Sequence, residues 1–390
     1  MLSASFTFHS FEEIKVHQSE LKQFNPSLII IYAAPVFFKD DSRPSESFSE
    51  LLGEMSQITA NIVGCSTAGE INSDQVSNDT IAIIAMKFER GSSVKIHTST
   101  LTSMQNSFET GEKLGQHIEP AGLKGVYALA PGLAINGSAL IHGLAHSLSS
   151  DIKISGGLAG DDASFEKTYV ISPQGVREDT VVAVCFYGDN LSFGYGASGG
   201  WRSFGPSRSV TKANENILYE LDDAPALAIY KEYLGDYAAD LPANGLLFPL
   251  EIIDEDQKGT GLIRTILGIN EEDGSLILAG DVAEMQFVRL MHASTDNLID
   301  GAQLAVSNAL KTPNTQQTNS VALVTSCVGR KLVMGDRVEE ELECIQEYLP
   351  ANTCIAGFYS YGEICPFNNQ SDSKLYNQTM SMTLIQEATS

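Results

Sequence analysis

Basic residues are scarce in this 390-residue chain: 24 Lys and Arg stand against 49 Asp and Glu, a formal net charge of −25. A surface of that sign repels phosphate backbones and anionic lipid, so neither nucleic acid nor a membrane is expected as a partner. Apolar runs are short, and none approaches the roughly 20 residues that a membrane helix needs. Met1 to Ser10 lacks the basic start and apolar stretch of a secretory leader. The six cysteines (65, 185, 327, 344, 354, 365) form no Cys-x-x-Cys pair, and a chain this long needs no disulfide framework. A cytoplasmic protein with reduced thiols is expected. A Walker loop, a dinucleotide fingerprint and a zinc-protease motif are also missing. Tryptophan occurs once, at Trp201.

What the chain does have is a motif written three times. Gly64-Cys65-Ser66-Thr67-Ala68-Gly69-Glu70-Ile71 and Gly357-Phe358-Tyr359-Ser360-Tyr361-Gly362-Glu363-Ile364 both follow Ile-x and end in Gly-Glu-Ile. A looser copy is Ile154-Ser155-Gly156-Gly157-Leu158-Ala159-Gly160-Asp161-Asp162. Glycine within a strand marks a bulge, a bend or the close approach of backbone to something else.

The surroundings repeat as well. Helical spacing over Phe8 to Phe24 leads into the apolar run Leu28 to Tyr32, then a loop from Pro35 to Pro44 and a helix from Ser45 to Thr59. The first glycine strand, the strand Asp79 to Phe88 and the alternating Val94 to Leu101 follow. The second pass is Met104 to Ile118 (helix), Gly125 to Ala130 (strand), Gly137 to Leu148 (helix), the second glycine strand and Asp179 to Phe186. The third is Asp296 to Leu310, Val321 to Thr325, Arg337 to Leu349, Ile355 to Ile364 and Tyr376 to Ile385. The unit is thus helix, strand, helix, glycine strand, strand, at about 8–101, 104–197 and 296–387. Residues 200–293 interrupt the series with one helix (Ala224 to Leu234) and strands over Leu246 to Ile253, Leu262 to Ile269, Leu276 to Leu278 and Met285 to Met291. Thr312 to Asn319 reads as a polar connector. A mixed α/β fold is expected, with two mixed sheets, helices on their outer faces, and two halves, 1–199 and 200–390.

Several residues carry candidate chemistry. Cys65, Ser66, Thr67, Gly156, Gly157, Tyr359, Ser360 and Tyr361 could line one small-ligand pocket, with Glu70, Asp161 and Glu363 accepting from an amine or an arginine. Equally, the glycines could serve helix–sheet packing and the acids face water. Arg330 could fork onto a ligand carboxylate or pair with a protein acid. Cys327 is either a nucleophile or a small buried apolar residue, and no histidine partner is evident. His142 and His146 have the i, i+4 spacing of metal ligands but fall opposite their helix's apolar stripe. His292 could be an axial ligand of haem iron or an ordinary structural histidine.

These motifs, with Cys327-Val328-Gly329-Arg330 and Asn377-Gln378-Thr379, together resemble the FIST (F-box and intracellular signal transduction) family over nearly the whole chain. The resemblance implies a sensory protein that binds a small ligand, with an N-terminal and a C-terminal FIST half. It further implies action on a separate signalling partner, such as a histidine kinase or a diguanylate cyclase. For some relatives it implies a haem-based nitric-oxide sensor, so haem b is the implied cofactor. Two departures stand out. The sequence ends at Ser390 with no kinase or cyclase segment, so output is expected in trans. Tyr376 stands where the family often has a histidine before Asn-Gln-Thr, making Tyr376 a second candidate haem ligand. The chain is therefore expected to be a sensor and not an enzyme. A Cys-dependent hydrolase of amide-type small molecules, using Cys65 or Cys327, and a ligand-free interaction module are the alternatives.

Overall fold

A computed structural model describes residues 1–38, 48–73, 75–254, 259–311 and 319–388. Residues 312–318 of the Thr312 to Asn319 connector, and parts of the Pro35 to Pro44 loop and the Ser45 to Thr59 helix, lie outside those residues.

Each repeated unit builds the same structure. Leu28–Ala33 is buried at every position and pairs in parallel with the glycine strand Ile62–Ser66. Leu123–Ala130 pairs likewise with Lys153–Leu158, and Ser320–Cys327 with Thr353–Ser360. Apolar runs with no polar alternation suit such strands, which are covered on both faces. Against each opening strand lies a long antiparallel strand: Ile81–Lys87, Thr180–Tyr187 and Met380–Glu387. Outermost are Leu2–Phe8, Ser93–Thr100 and Leu191–Ser198.

The fifth and sixth strands of each sheet come from another unit, and two outermost strands do as well: Ser93–Thr100 and Leu191–Ser198, expected to close the first and second units, pair into the second and third sheets. Beyond its glycine strand the chain leaves its own sheet and forms a hairpin on the next one. Glu70–Asn72 and Val76–Ser77 join the third sheet, Val170–Ser172 and Gly175–Arg177 the first, and Gly362–Pro366 and Ser373–Tyr376 the second. Three six-stranded sheets are thereby interlocked in a cycle. The expected continuous strand Ile355 to Ile364 is two strands on two sheets, broken at Tyr361.

The inner faces of all three sheets share one core, to which the first contributes Tyr32 and Val63, the second Tyr127 and Leu129, and the third Leu323 and Phe358. The Tyr32 and Tyr127 hydroxyls are 2.7 Å apart, and the Tyr32 ring stacks on Phe358 at 4.9 Å. Helices cover the outer faces: Phe11–Phe24 and Phe48–Met55 on the first sheet, Ser107–Gln116 and Gly137–His146 on the second, Thr295–Ala309 and Glu339–Tyr348 on the third. Each fully buried Leu, Ile or Phe in these layers stabilises the fold by roughly 1.5–3 kcal/mol. Ser10, Asn136 and Ser294 cap three of the helices through their side chains.

The interrupting segment forms a fourth sheet of eight strands with the helix Ala226–Leu234 on it, around its own core. Arg202 lies opposite His292, so the chain leaves and re-enters the three-sheet body at one point. The described residues form four sheets rather than the two expected. The Leu262 to Ile269 run breaks at Thr265, and its two parts, Gly259–Arg264 and Ile266–Asn270, sit at opposite ends of the fourth sheet. The strands Arg202–Asn214 and Ile217–Leu221 were not expected. The first is mostly exposed and polar, and it carries no apolar alternation to read.

Candidate functional site

The first glycine of each motif answers a close approach within the sheet. A Cβ on Gly64 would lie 2.0 Å from the carbonyl oxygen of Ile31. On Gly156 and Gly357 it would lie 1.9 Å from those of Ala128 and Val324. The neighbour in each case is the parallel opening strand. Gly157 borders the central core, where a Cβ would meet Thr325 Cγ2 at 2.7 Å.

The residues beyond those glycines converge where the three units cross. Ser66 Oγ donates to the Gly160 carbonyl at 2.7 Å and accepts from Tyr169 N at 2.9 Å. Ala68 N donates to the Tyr359 carbonyl at 2.8 Å, and Tyr361 N to that of Leu158 at 3.2 Å. The polar groups of the motifs thus satisfy one another across units.

Two of the carboxylates are matched clasps. Glu70 accepts from Thr67 Oγ1, from Thr80 N at 3.1 Å and from Thr80 Oγ1 at 2.8 Å. Glu363 accepts from Ser360 Oγ at 2.7 Å, Thr379 N at 3.1 Å and Thr379 Oγ1 at 2.9 Å. Burial pushes Glu70 up to about 7 and Glu363 to about 8, against the hydrogen bonds that favour the charged form.

Arg330 is fully buried, with its guanidinium on Glu341 and on the carbonyls of Gly199 and Leu298. Glu341 also accepts from Ser326 Oγ and from the Tyr359 hydroxyl, each at 3.1 Å. Arg330 and Tyr359, both candidate ligand residues, are therefore engaged inside the protein.

Tyr361 and Asp161 present a different situation. The Tyr361 hydroxyl donates to Asp161 Oδ1, whose carboxylate also accepts the backbone N–H of Phe165 (2.9 Å), Glu166 (2.7 Å) and Lys167 (2.8 Å). The Tyr361 ring stacks on Phe165 at 4.6 Å. Burial and the Asp161 carboxylate hold the phenol well above its usual range. This contact lies at the carboxyl ends of Leu123–Ala130 and Lys153–Leu158, where ligands of α/β sheets bind. The loops there hold Ala134, Asp162, Ala163 and Phe165 in the left-handed region, with φ of 54°, 55°, 59° and 53°. Such backbone costs energy in non-glycine residues and gathers at functional sites.

The inserted sheet reaches the same loops. Asn136 Nδ2 donates to Asp281 Oδ1 at 2.9 Å, and Arg264 Nε to the Asp281 carbonyl at 2.9 Å. Arg264 and Tyr376 act on each other electrostatically, and Asn377 Nδ2 reaches the Tyr361 carbonyl at 3.5 Å. Nearby, Lys331 Nζ donates to the Ala68 carbonyl at 2.6 Å and to Asn78 Oδ1 at 2.5 Å, 3.7 Å from Asp162 Oδ1. Burial lowers its pKa. Sequence reasoning missed Lys331, Glu341, Arg264, Asp281 and Asn136. Arg264 left one signal, a charge inside an apolar run.

The two candidate haem ligands do not share a site. His292 is exposed on the fourth sheet with its ring against Phe204, not in the expected apolar neighbourhood. Tyr376 is buried opposite Glu363 on the second sheet, its phenol raised by burial and so poorly suited to ligate iron as a phenolate. These residues do not fit a haem site. His142 and His146 are both exposed. Burial raises the thiols of Cys65 and Cys327, which is the wrong direction for a nucleophile, so the Cys-dependent hydrolase has no support here. Among the described residues no group of three or more His, Cys, Asp or Glu could hold a metal ion, and no helix is long and apolar enough to cross a membrane.

Comparison with known proteins adds three findings. Family models match residues 28–224 as a FIST N domain and 226–366 as a FIST C domain. An uncharacterized protein of Methanocaldococcus jannaschii is 27% identical over 241 residues, 54% of this chain and 45% of that protein, so this chain spans about half of that relative's length. A crystal structure of cyanuric acid hydrolase from A. caulinodans is similar over 100% of this chain and 99% of that one, at 8% identity and a TM-score of 0.36. The expectation of a chain that is not an enzyme is not kept. At that TM-score the likeness argues for no particular activity either.

Proposed function

Because the chain belongs to the FIST family, with both its N and its C domain, we propose that it is a signal-transduction sensor. In this reading a small metabolite binds at the carboxyl ends of the second unit's strands. The loops 131–136 and 160–168, Tyr361 from the third unit and the Asp281 loop of the inserted sheet surround it.

The observation that carries this reading is the left-handed backbone of Ala134, Asp162, Ala163 and Phe165 in two loops that meet over one strand end. Strain of that kind persists where surrounding contacts enforce it. In the loop of Asp162, Ala163 and Phe165 the Asp161 carboxylate enforces it by gathering three backbone N–H groups and the Tyr361 hydroxyl. Asp161 and Tyr361 belong to different units, so a ligand beside them touches the exchanged hairpin and the inserted sheet together. Its differential affinity for two arrangements of those parts is what would pass to a signalling partner, such as a histidine kinase or a diguanylate cyclase.

A thermal-shift screen of small metabolites tests the reading. A ligand at 100 times its dissociation constant adds about 2.7 kcal/mol of stability. At least one compound is expected to raise the melting temperature of the wild-type protein and to lose most of that effect with Tyr361→Phe or Asp161→Asn. Silence across a broad library overturns the proposal, as does a shift that survives both substitutions.

A further inference from the structure

We propose that Arg264 is the anion-recognising residue of a site in the seam between the inserted sheet and the three-sheet body, and that the group it takes is a carboxylate. The inference rests on the ligand-sensing reading above and gives that ligand a chemical class.

Arg264 ends the strand Gly259–Arg264 and is 4% exposed. Its Nε donates to the Asp281 carbonyl at 2.9 Å, and Nη1 to the Ile263 carbonyl at 3.3 Å. Among the described residues Nη2 has no acceptor, and no carboxylate oxygen lies within ion-pair distance of the guanidinium. The Asp281 carboxylate, the anion that acts on Arg264, is engaged by Asn136. Arg330 shows the contrast: it is equally buried, but it holds Glu341 and two carbonyls.

A buried guanidinium is normally paired and hydrogen-bonded throughout. One left open along an edge offers the planar fork that a carboxylate accepts through two N–H bonds. Two side-chain oxygens beside Tyr376 and Asn136 in sequence are also left without a partner. Asn377 Oδ1, next to Tyr376, is buried without a donor, and so is Ser138 Oγ, two residues from Asn136. Burial lowers the Arg264 pKa only to about 10, so the group is a cation at neutral pH.

The single tryptophan provides the probe. Trp201 Nε1 donates to the Gln378 carbonyl at 2.8 Å, and its ring shares a buried cluster with Ile263, the residue before Arg264. Trp201 emission is followed in the full chain during titration with acetate, pyruvate, lactate and benzoate at constant ionic strength. Chloride and inorganic phosphate are the comparators. At least one carboxylate is expected to give a saturable change that chloride and phosphate do not. Arg264→Lys, which keeps the charge without the fork, is expected to weaken that binding about tenfold or more, and Arg264→Gln further. If no carboxylate saturates the wild-type signal, or if the folded Arg264→Lys protein binds as tightly as wild type, the proposal fails. The wild-type titration decides alone if both variants unfold. A hit from the metabolite screen that lacks a carboxylate would overturn this assignment while leaving the sensor reading standing.

Discussion

Glu70 and Glu363 occupy one structural position in two units: each follows the last glycine of its motif, each accepts a hydroxyl from three residues earlier, and each accepts both the amide and the hydroxyl of a threonine that leads into the long antiparallel strand. Both sit fully buried, where burial raises them to about 7 and about 8. The raised values mean that their contribution to stability is fully present below the ordinary carboxylate range. It is lost as the pH rises through 7 and 8.

The melting temperature is therefore expected to fall between pH 5 and pH 8.5. Glu363→Gln, a permanently neutral isostere, should flatten that slope, and Glu70→Gln should do so at a slightly lower pH. Glu387 has the opposite sign and does not interfere. Burial would raise it, but the Met1 ammonium and the backbone N–H groups of Glu89 and Arg90 hold it at about 2. Calorimetric melts across that pH range check this. An unchanged slope in both variants would show that the clasps are charged at neutral pH.

The first glycine of each motif is predicted to matter for folding rather than for ligand. Gly357→Ala places a methyl 1.9 Å from the Val324 carbonyl oxygen, inside a parallel pair buried on both faces. Overpacking of this kind costs about 1–3 kcal/mol. Urea unfolding should report a loss of at least that size, and an undiminished midpoint would contradict the close approach.

How much of this was legible in the sequence follows from what each residue does. The buried parallel strands were readable, because Leu28 to Tyr32 has no polar alternation and can only be covered on both faces. Repetition was readable as well, because Asp79-Thr80 and Asp179-Thr180 recur in letter. The exchange of hairpins was not. A chain that crosses from one sheet to another at Thr67 or Tyr361 has the same local pattern as one that continues straight on. The role of Arg330 was also closed to sequence reasoning, since its partners Glu341, Gly199 and Leu298 meet it only through the fold. Tyr361 and Asp161, named separately as candidates, prove to touch across 200 residues of chain.

The Arg330–Glu341 pair gives a third prediction. Removing one partner of a buried ion pair leaves an uncompensated charge and costs about 3–5 kcal/mol. Arg330→Met and Glu341→Leu should each cost that much, and the double substitution should cost clearly less than their sum. A double-mutant cycle measured by denaturant unfolding tests the coupling; additive losses would contradict it.

The thiols give a fourth. Cys65, Cys185, Cys327 and Cys365 are buried, whereas Cys344 and Cys354 are partly exposed. Iodoacetamide at neutral pH should modify Cys344 and Cys354 first in the native protein and reach the other four only on unfolding. Rapid selective labelling of Cys65 or Cys327, read by peptide mass spectrometry, would restore the nucleophile reading that burial argues against.

The central claim is that this fold holds a small ligand where Asp161 and Tyr361 meet. Native mass spectrometry of the protein after exposure to a cell metabolite extract tests it most directly. A population heavier than the bare chain by one small-molecule mass at unit stoichiometry is expected, strongly reduced in Tyr361→Phe. A wild-type spectrum showing only the bare polypeptide, or an adduct that persists unchanged in that variant, would contradict it.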